Sequence, residues 1–152
     1  MIYFSDVIED KSKLISDFSF LPEYECSPLD EDFTSAMKFS TDVEPVSMRD
    51  HLAGKLMLRL DKFLLDNDDL NELYYDEVSQ AAGHKIGGYP TFTQEDPRND
   101  KPLNSMDKIL LFQLDADDHI MFGDSGVCNF FIAPVDLKSL DFSRILYNWD
   151  CC

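Results

Sequence analysis

A chain of 152 residues with 30 acidic side chains against 13 basic ones carries a formal net charge of −17, which repels nucleic-acid phosphates and anionic membranes, since binding either takes clustered Lys and Arg. Its 44% hydrophobic and 12% aromatic content suffices for the core of one domain and is too high for a disordered chain. No run approaches the roughly 18 apolar residues of a membrane span, residues 1–6 lack the basic and long apolar regions of a signal peptide, and Cys26, Cys128, Cys151 and Cys152 show neither CxxC spacing nor a disulfide framework, so reduced thiols in the cytoplasm are expected.

In chain order, Ile2-Tyr3-Phe4 reads as a short opening strand. Residues 5–34 are acidic, aperiodic and broken by Pro22 and Pro28. Ala36-Met37-Lys38-Phe39 reads as a second strand, ended by Asp42, Glu44 and Pro45. Leu56, Leu60, Phe63 and Leu64 then recur at helical spacing. Met48-Arg49-Asp50-His51-Leu52 is compatible with that helix beginning after Ser47, which would place His51 in it, although Gly54 weakens the pattern. Asn67-Asp68-Asp69 offers N-cap chemistry for a second helix striped by Leu70, Leu73, Tyr74 and Val78, which should stop near Gly83. Paired glycines predict a turn at Gly87-Gly88-Tyr89-Pro90. The polar stretch 95–105, with Pro97 and Pro102, reads as a surface loop.

The run 109–114 is nearly all apolar and is expected to be a central strand buried on both faces. Turns follow at 115–118 and at Gly123-Asp124-Ser125-Gly126. Asn129-Phe130-Phe131-Ile132 reads as a strand, Asp136-Leu137-Lys138 as a short helical turn, and 144–149 as a last strand. Strands first and last with helices between argue for an α+β fold: a mixed, largely antiparallel sheet with the middle helices packed on it, in a single domain over 1–152. Gln113 is polar inside an apolar run, so its amide must bond backbone, with Gly87-Gly88 the nearest source.

Gly123-Asp124-Ser125-Gly126 mimics the nucleophile loop of trypsin-like proteases. A triad needs a His and an Asp brought to the Ser by two barrels, and this chain is too short for them; the tetrapeptide reads as a turn. Asp115, Asp117 and Asp118 suggest a calcium loop, but the sixth and twelfth positions of such a loop fall on Ile120 and Gly126, where Gly and Glu are needed. No Gly-Lys-Ser/Thr follows Gly87-Gly88, so a phosphate loop fails as well. His51, His84 and His119 read as scattered surface histidines, and Tyr147 and Trp149 as packing residues.

Four patterns, Gly83-His84-Lys85-Ile86-Gly87-Gly88-Tyr89-Pro90, Leu110 to Asp117, Gly123 to Ile132 and Asp141 to Cys151, together resemble the C-terminal part of the YwqG-like (DUF1963) family. The resemblance is close over 83–152 and loose before it. Members usually carry a preceding region that looks like a duplication of this half, and the chain is expected to lack it. Phe122 stands where many members have Trp, and Cys128 where many have Gly. The resemblance implies a soluble bacterial α+β protein with no established enzymatic activity. It also implies kinship with one class of candidate immunity proteins, encoded near secreted toxins.

The leading expectation is therefore a non-enzymatic protein-binding module without a cofactor or metal, meeting a basic partner such as a toxin through its acidic surface. Its acidic residues are concentrated in 6–32 and 61–77. Candidate partner-binding or functional residues are His84, Gly87, Gly88, Gln113, Asp115, Asp117, Asp124 and Trp149. The alternative is a small metal-dependent enzyme using Asp115, Asp117 and Asp124 with a histidine. Self-association of a half-domain is a third reading.

Overall fold

The computed structural model describes residues 12, 17, 19–20, 27–29, 36–47, 49–53, 68–70, 72–73, 82–100 and 107–152. Its centre is a four-stranded antiparallel sheet in the order β1-β2-β3-β4, formed by β1 (Lys85–Ile86), β2 (Ile109–Leu114), β3 (Val127–Ile132) and β4 (Leu146–Asp150). Among the described residues, two short helices, α1 (Pro97–Asp100) and α2 (Pro134–Ser139), lie between strands. The three apolar runs read from the sequence are thus neighbours in one α+β sheet. Among the described residues no helix is long and apolar enough to cross a membrane.

Alternation along the strands divides the sheet into two faces. The register places Leu110, Phe131 and Leu146 on one face, and Gln113, Asn129 and Asn148 beside them. Phe92 joins Leu110 and Phe131 in a core cluster against which Leu146 packs, with the Phe92 and Phe131 rings stacked at 6.2 Å. On the opposite face Ile120, Phe122 and Cys128 form a second cluster, flanked by Leu114 and Phe130. A register shift between Leu110 and Phe112 re-aims β2 between the two clusters. The expectation that β2 is buried on both faces is corrected accordingly: Leu110 and Gln113 are buried, Ile109 is exposed, and Leu111, Phe112 and Leu114 are half-buried.

Other boundaries also shift. β3 begins two residues earlier than the apolar run, because Val127 and Cys128 already pair with β4. Pro134 at its first turn starts α2, and Leu140 in the left-handed region ends it, its amide reaching Asp136 and Leu137 carbonyls. Residues 36–39 are not a strand: 36–47 carry no regular structure, and Met37 and Phe39 are exposed. That segment is held from its far end, where Glu44 accepts Lys85 Nζ at 2.7 Å and the Tyr89 amide at 3.0 Å. His51 is in a turn, not a helix. The Asp50 amide donates to the Ser47 carbonyl, and Asp50 Oδ1 accepts the Leu52 amide, so helix begins only at Ala53. The stretch 95–105 is not wholly a surface loop, since α1 lies in it and buries Arg98. Residues 68–70 and 72–73 are helical as expected. The strand at 2–4 and the stripe Leu56, Leu60, Phe63 and Leu64 fall outside the described residues.

Candidate functional site

The segment 90–98 crosses the core face of the sheet, and polar side chains rising from the strands bind its backbone. Gln113, wholly buried, accepts the Thr91 amide at 2.9 Å and donates to the Gly83 carbonyl and Thr91 Oγ1, both at 2.8 Å. The backbone partners are therefore Gly83 and Thr91, not Gly87-Gly88. Asn129 donates to the Thr91 carbonyl. Asp150 accepts Thr93 Oγ1 at 3.0 Å and the Gln94 amide at 2.6 Å. A buried Gln, Asn and Asp together hold one strap in register.

That strap presents the densest group of charges among the described residues. Asp96 and Arg98 are buried beneath the turn 49–52. Arg98 Nη2 donates to Asp96 at 2.6 Å and to Asp50 at 2.8 Å, and its Nε lies 2.9 and 3.1 Å from the two Asp96 oxygens. Arg98 Nη1 donates to the Lys108 carbonyl, and the guanidinium carbon sits 4.6 Å from the Phe131 ring centroid. His51 closes the group: its amide donates to Asp96 at 2.8 Å, and its Nδ1 lies 3.3 Å from Asp96 and 3.5 Å from Asp50. Above it, Arg49 donates to the carbonyls of Phe92, Thr93 and Gln94, tying the turn to the strap. Burial alone would raise the Asp96 carboxyl. The Arg98 side chain and amide, with the His51 amide, outweigh that and hold it below the usual carboxylate range. Burial likewise disfavours the Arg98 cation, and Asp96 and Asp50 reverse this and hold it above its ordinary value.

Asp50, His51 and Asp96 are also the one group of His, Cys, Asp or Glu among the described residues with ligand atoms all within 4.8 Å of one another. The sequence-level candidates are arranged differently. His84 Nε2 lies 3.0 Å from Asp117 Oδ2, and His84 Nδ1 accepts the Asp115 amide at 3.1 Å. The Asp115 oxygens accept the Gly83 and Ala116 amides, and Asp117 Oδ1 accepts those of His119 and Ile120. The His119 amide does most to hold the Asp117 carboxyl below the usual range, with His84 and Ile120 adding to it. So His84, Asp115 and Asp117 meet in a turn-forming constellation, while Asp124 is exposed in the turn before β3.

Gly87 and Gly88 occupy positive φ of 73° and 75°. At Gly88 the positive φ favours glycine, and a Cβ would also come 2.3 Å from Glu44 Oε1, so the Glu44 carboxylate would have to shift. Trp149 lies on β4, half exposed, with its ring 6.5 Å from Phe122. His84 and Asp117 also border a cavity of about 740 Å³ between residues 36–45 and β1-β2, floored by Ile86, Phe112, Leu114 and Ile120.

Sequence reasoning missed Asp50, Asp96 and Arg98. The signal available was Asp96-Pro97-Arg98: an Asp before a Pro that starts a helix caps it, and the Asp96 carboxylate does accept the Arg98 amide. Nothing local joined that cap to Asp50.

The sequence matches the family described as a domain of unknown function (DUF1963) over residues 1–151. The chain belongs to that family, and the match extends through the half where the motif resemblance was loose. No curated protein matches it.

Proposed function

With membership of that family as premise, we propose that the protein is a non-enzymatic binding module for a basic protein partner, in the manner of an immunity-type inhibitor that meets a toxin in the cytoplasm. The observation that carries this reading is the charge of −17, which speeds encounter with a cationic surface and disfavours anionic partners. The arrangement of the carboxylates supports it. Those gathered at the core face are closed by Arg98 and by backbone amides, and those at residues 115–117 hold turns. Both sets act as structure, leaving the exposed acids for long-range attraction.

The test is affinity capture from the native host's extract at low and moderate salt, followed by association kinetics with the purified partner. Reversing the exposed Asp68, Asp69 and Glu72 to Lys should slow association and flatten its salt dependence. Rates and salt slopes equal to those of the unaltered chain would sink the reading.

A second reading, a small metal-dependent protein, is favoured by the convergence of Asp50, His51 and Asp96. Against it, Arg98 Nη2 already bridges the two carboxylates a cation would use. Stabilisation by Zn²⁺ or Mn²⁺ that disappears in His51→Ala would establish it; equal melting with and without metal would remove it.

A further inference from the structure

The face of the sheet opposite the strap is built from two apolar rows. The register aligns Ile86, Phe112, Phe130 and Tyr147 in one, and Leu114, Cys128 and Trp149 in the other. Phe112 and Phe130 stack at 6.1 Å, and Phe130 meets Tyr147 at 5.1 Å. Ile120 and Phe122 cover the middle of this face, which buries Cys128. At the β4 end, among the described residues, Tyr147 is 51% and Trp149 47% exposed. Trp149 is the chain's one tryptophan. Its ring is seated, not loose: it leans on Phe122 at 6.5 Å and abuts Gly123, where a Cβ would come 3.1 Å from Cζ3. A rigid aromatic pair left half in water is the type of residue that anchors protein interfaces.

Charge selects the occupant. Asp124 is exposed in the turn whose first residue, Gly123, abuts the Trp149 ring. A second copy of this chain would bring another −17 to that place and be repelled. An Arg or Lys side chain would meet the negative face of the indole and, in the adjoining turn, the Asp124 carboxylate. We infer that the β4 end of this face, Trp149 and Tyr147 with the Gly123-Asp124 turn that adjoins Trp149, is the surface that takes the basic partner, with an arginine or lysine side chain lying over the Trp149 ring. This deepens the reading of a basic partner and rests on it.

The single tryptophan makes the contact directly observable. The full chain is titrated with hexa-arginine, and with a neutral Gly-Ser peptide of equal length, at about 50 mM salt, where screening is weak. Binding is followed both by calorimetry and by Trp149 emission. The expected result is that hexa-arginine binds and changes the emission while the neutral peptide does neither. Trp149→Leu should weaken binding about 3- to 10-fold by calorimetry, and Trp149→Phe should restore part of it, the scale of a cation–π contact. Asp124→Asn should weaken binding without altering the thermal midpoint, which keeps the test valid if Trp149→Leu loses stability. Binding with unchanged emission, equal in Trp149→Leu and Asp124→Asn, would overturn this surface and leave the basic-partner reading standing. No binding of hexa-arginine by either method would overturn both.

Discussion

Arg98→Met tests whether the buried charges are one unit. Methionine keeps an apolar stem against Phe131 and deletes the guanidinium that lies 2.6 Å from Asp96 and 2.8 Å from Asp50. Both carboxylates are then left buried without their counter-charge. Breaking a buried ion pair from one side costs about 3–5 kcal/mol. For a chain of this size that lowers the thermal midpoint by about 6–20 °C, at about 2–4 °C per kcal/mol. Neutralising the carboxylates as well, with Asp50→Asn and Asp96→Asn added, should recover part of the loss, because stranded charge is the larger penalty. Urea unfolding of the single and triple variants measures both. A single-variant loss under about 1 kcal/mol, the range of an exposed pair, would refute the reasoning. The same unit fixes a pH response. The native Asp96 carboxyl lies below its unfolded value, so the stabilisation is complete above the unfolded pKa of about 3.9 and is lost as pH falls through the lower native one. Asp96→Asn should flatten that part of the acid-unfolding curve; an unchanged slope below about pH 4 would count against it.

Leu110, buried beside Phe92 and Phe131, should cost about 2–5 kcal/mol when cut to Ala, whereas Leu29→Ala, at a 44% exposed position, should cost under about 1 kcal/mol; equal losses in denaturant unfolding would contradict this core. Burial pushes the Cys128 thiol up to about 11, against a smaller opposing effect of Tyr147, so at neutral pH iodoacetamide should label Cys151 and Cys152 in the native protein and Cys128 only after unfolding. Gly126→Val should abolish stable folding, since a Cβ there would lie 2.2 Å from the Phe122 carbonyl oxygen and 2.3 Å from that of Asp150. Ser125→Ala, at an exposed turn position, should leave stability within about 0.5 kcal/mol, and labelling of Ser125 by a fluorophosphonate probe would show that it is more than a turn residue.

The sheet was legible because its strands are announced by side-chain type. The runs 109–114 and 129–132 are mostly apolar and 144–149 alternates, all are bounded by turn residues, and antiparallel neighbours in sequence order are the simplest way to pair them. Gln113 was legible for a different reason: a polar side chain in such a run has to find partners, and backbone is the nearest source. Its particular partners were not, because the strap that supplies Thr91 is irregular and has no period. Residues 36–39 misled by composition. Their apolar side chains suit a strand, but the outer strand β1 is only two residues long, and segment 36–47 reaches it through Glu44 side-chain bonds, not through a ladder. Asp50, His51, Asp96 and Arg98 were illegible as a group. The pairing of Arg98 with Asp50 spans 48 residues, and each charge taken alone reads as solvated surface, the commonest fate of charged residues.

The acidic composition has a local cause as well as a long-range effect. Asp17, Asp42, Asp50, Asp96, Asp115, Asp117 and Asp141 each accept the amide of a residue one or two positions ahead. This is how a short carboxylate fixes a turn, and it is available to Asp and not to the longer Glu. Many aspartates therefore serve the backbone first, and the surface charge comes with them. The two roles can be separated, because an asparagine oxygen accepts the same amide without the charge. Asp117→Asn and Asp141→Asn, both in exposed turns closed by the His119 and Ser143 amides, should keep the thermal midpoint at neutral pH within about 2 °C, while removing two negative charges. The native carboxyls of Asp117 and Asp141 lie below their usual range, held there first by the His119 amide and the Ser143 hydroxyl. Part of the acid sensitivity of the unaltered chain should therefore vanish in the double variant as pH falls through those lowered values. A change to alanine at the same two positions removes the acceptor and should lower the midpoint more than asparagine does. Equal melting of the asparagine and alanine variants would show that these aspartates do not hold their turns, and that the acidity of the chain needs an explanation in charge alone.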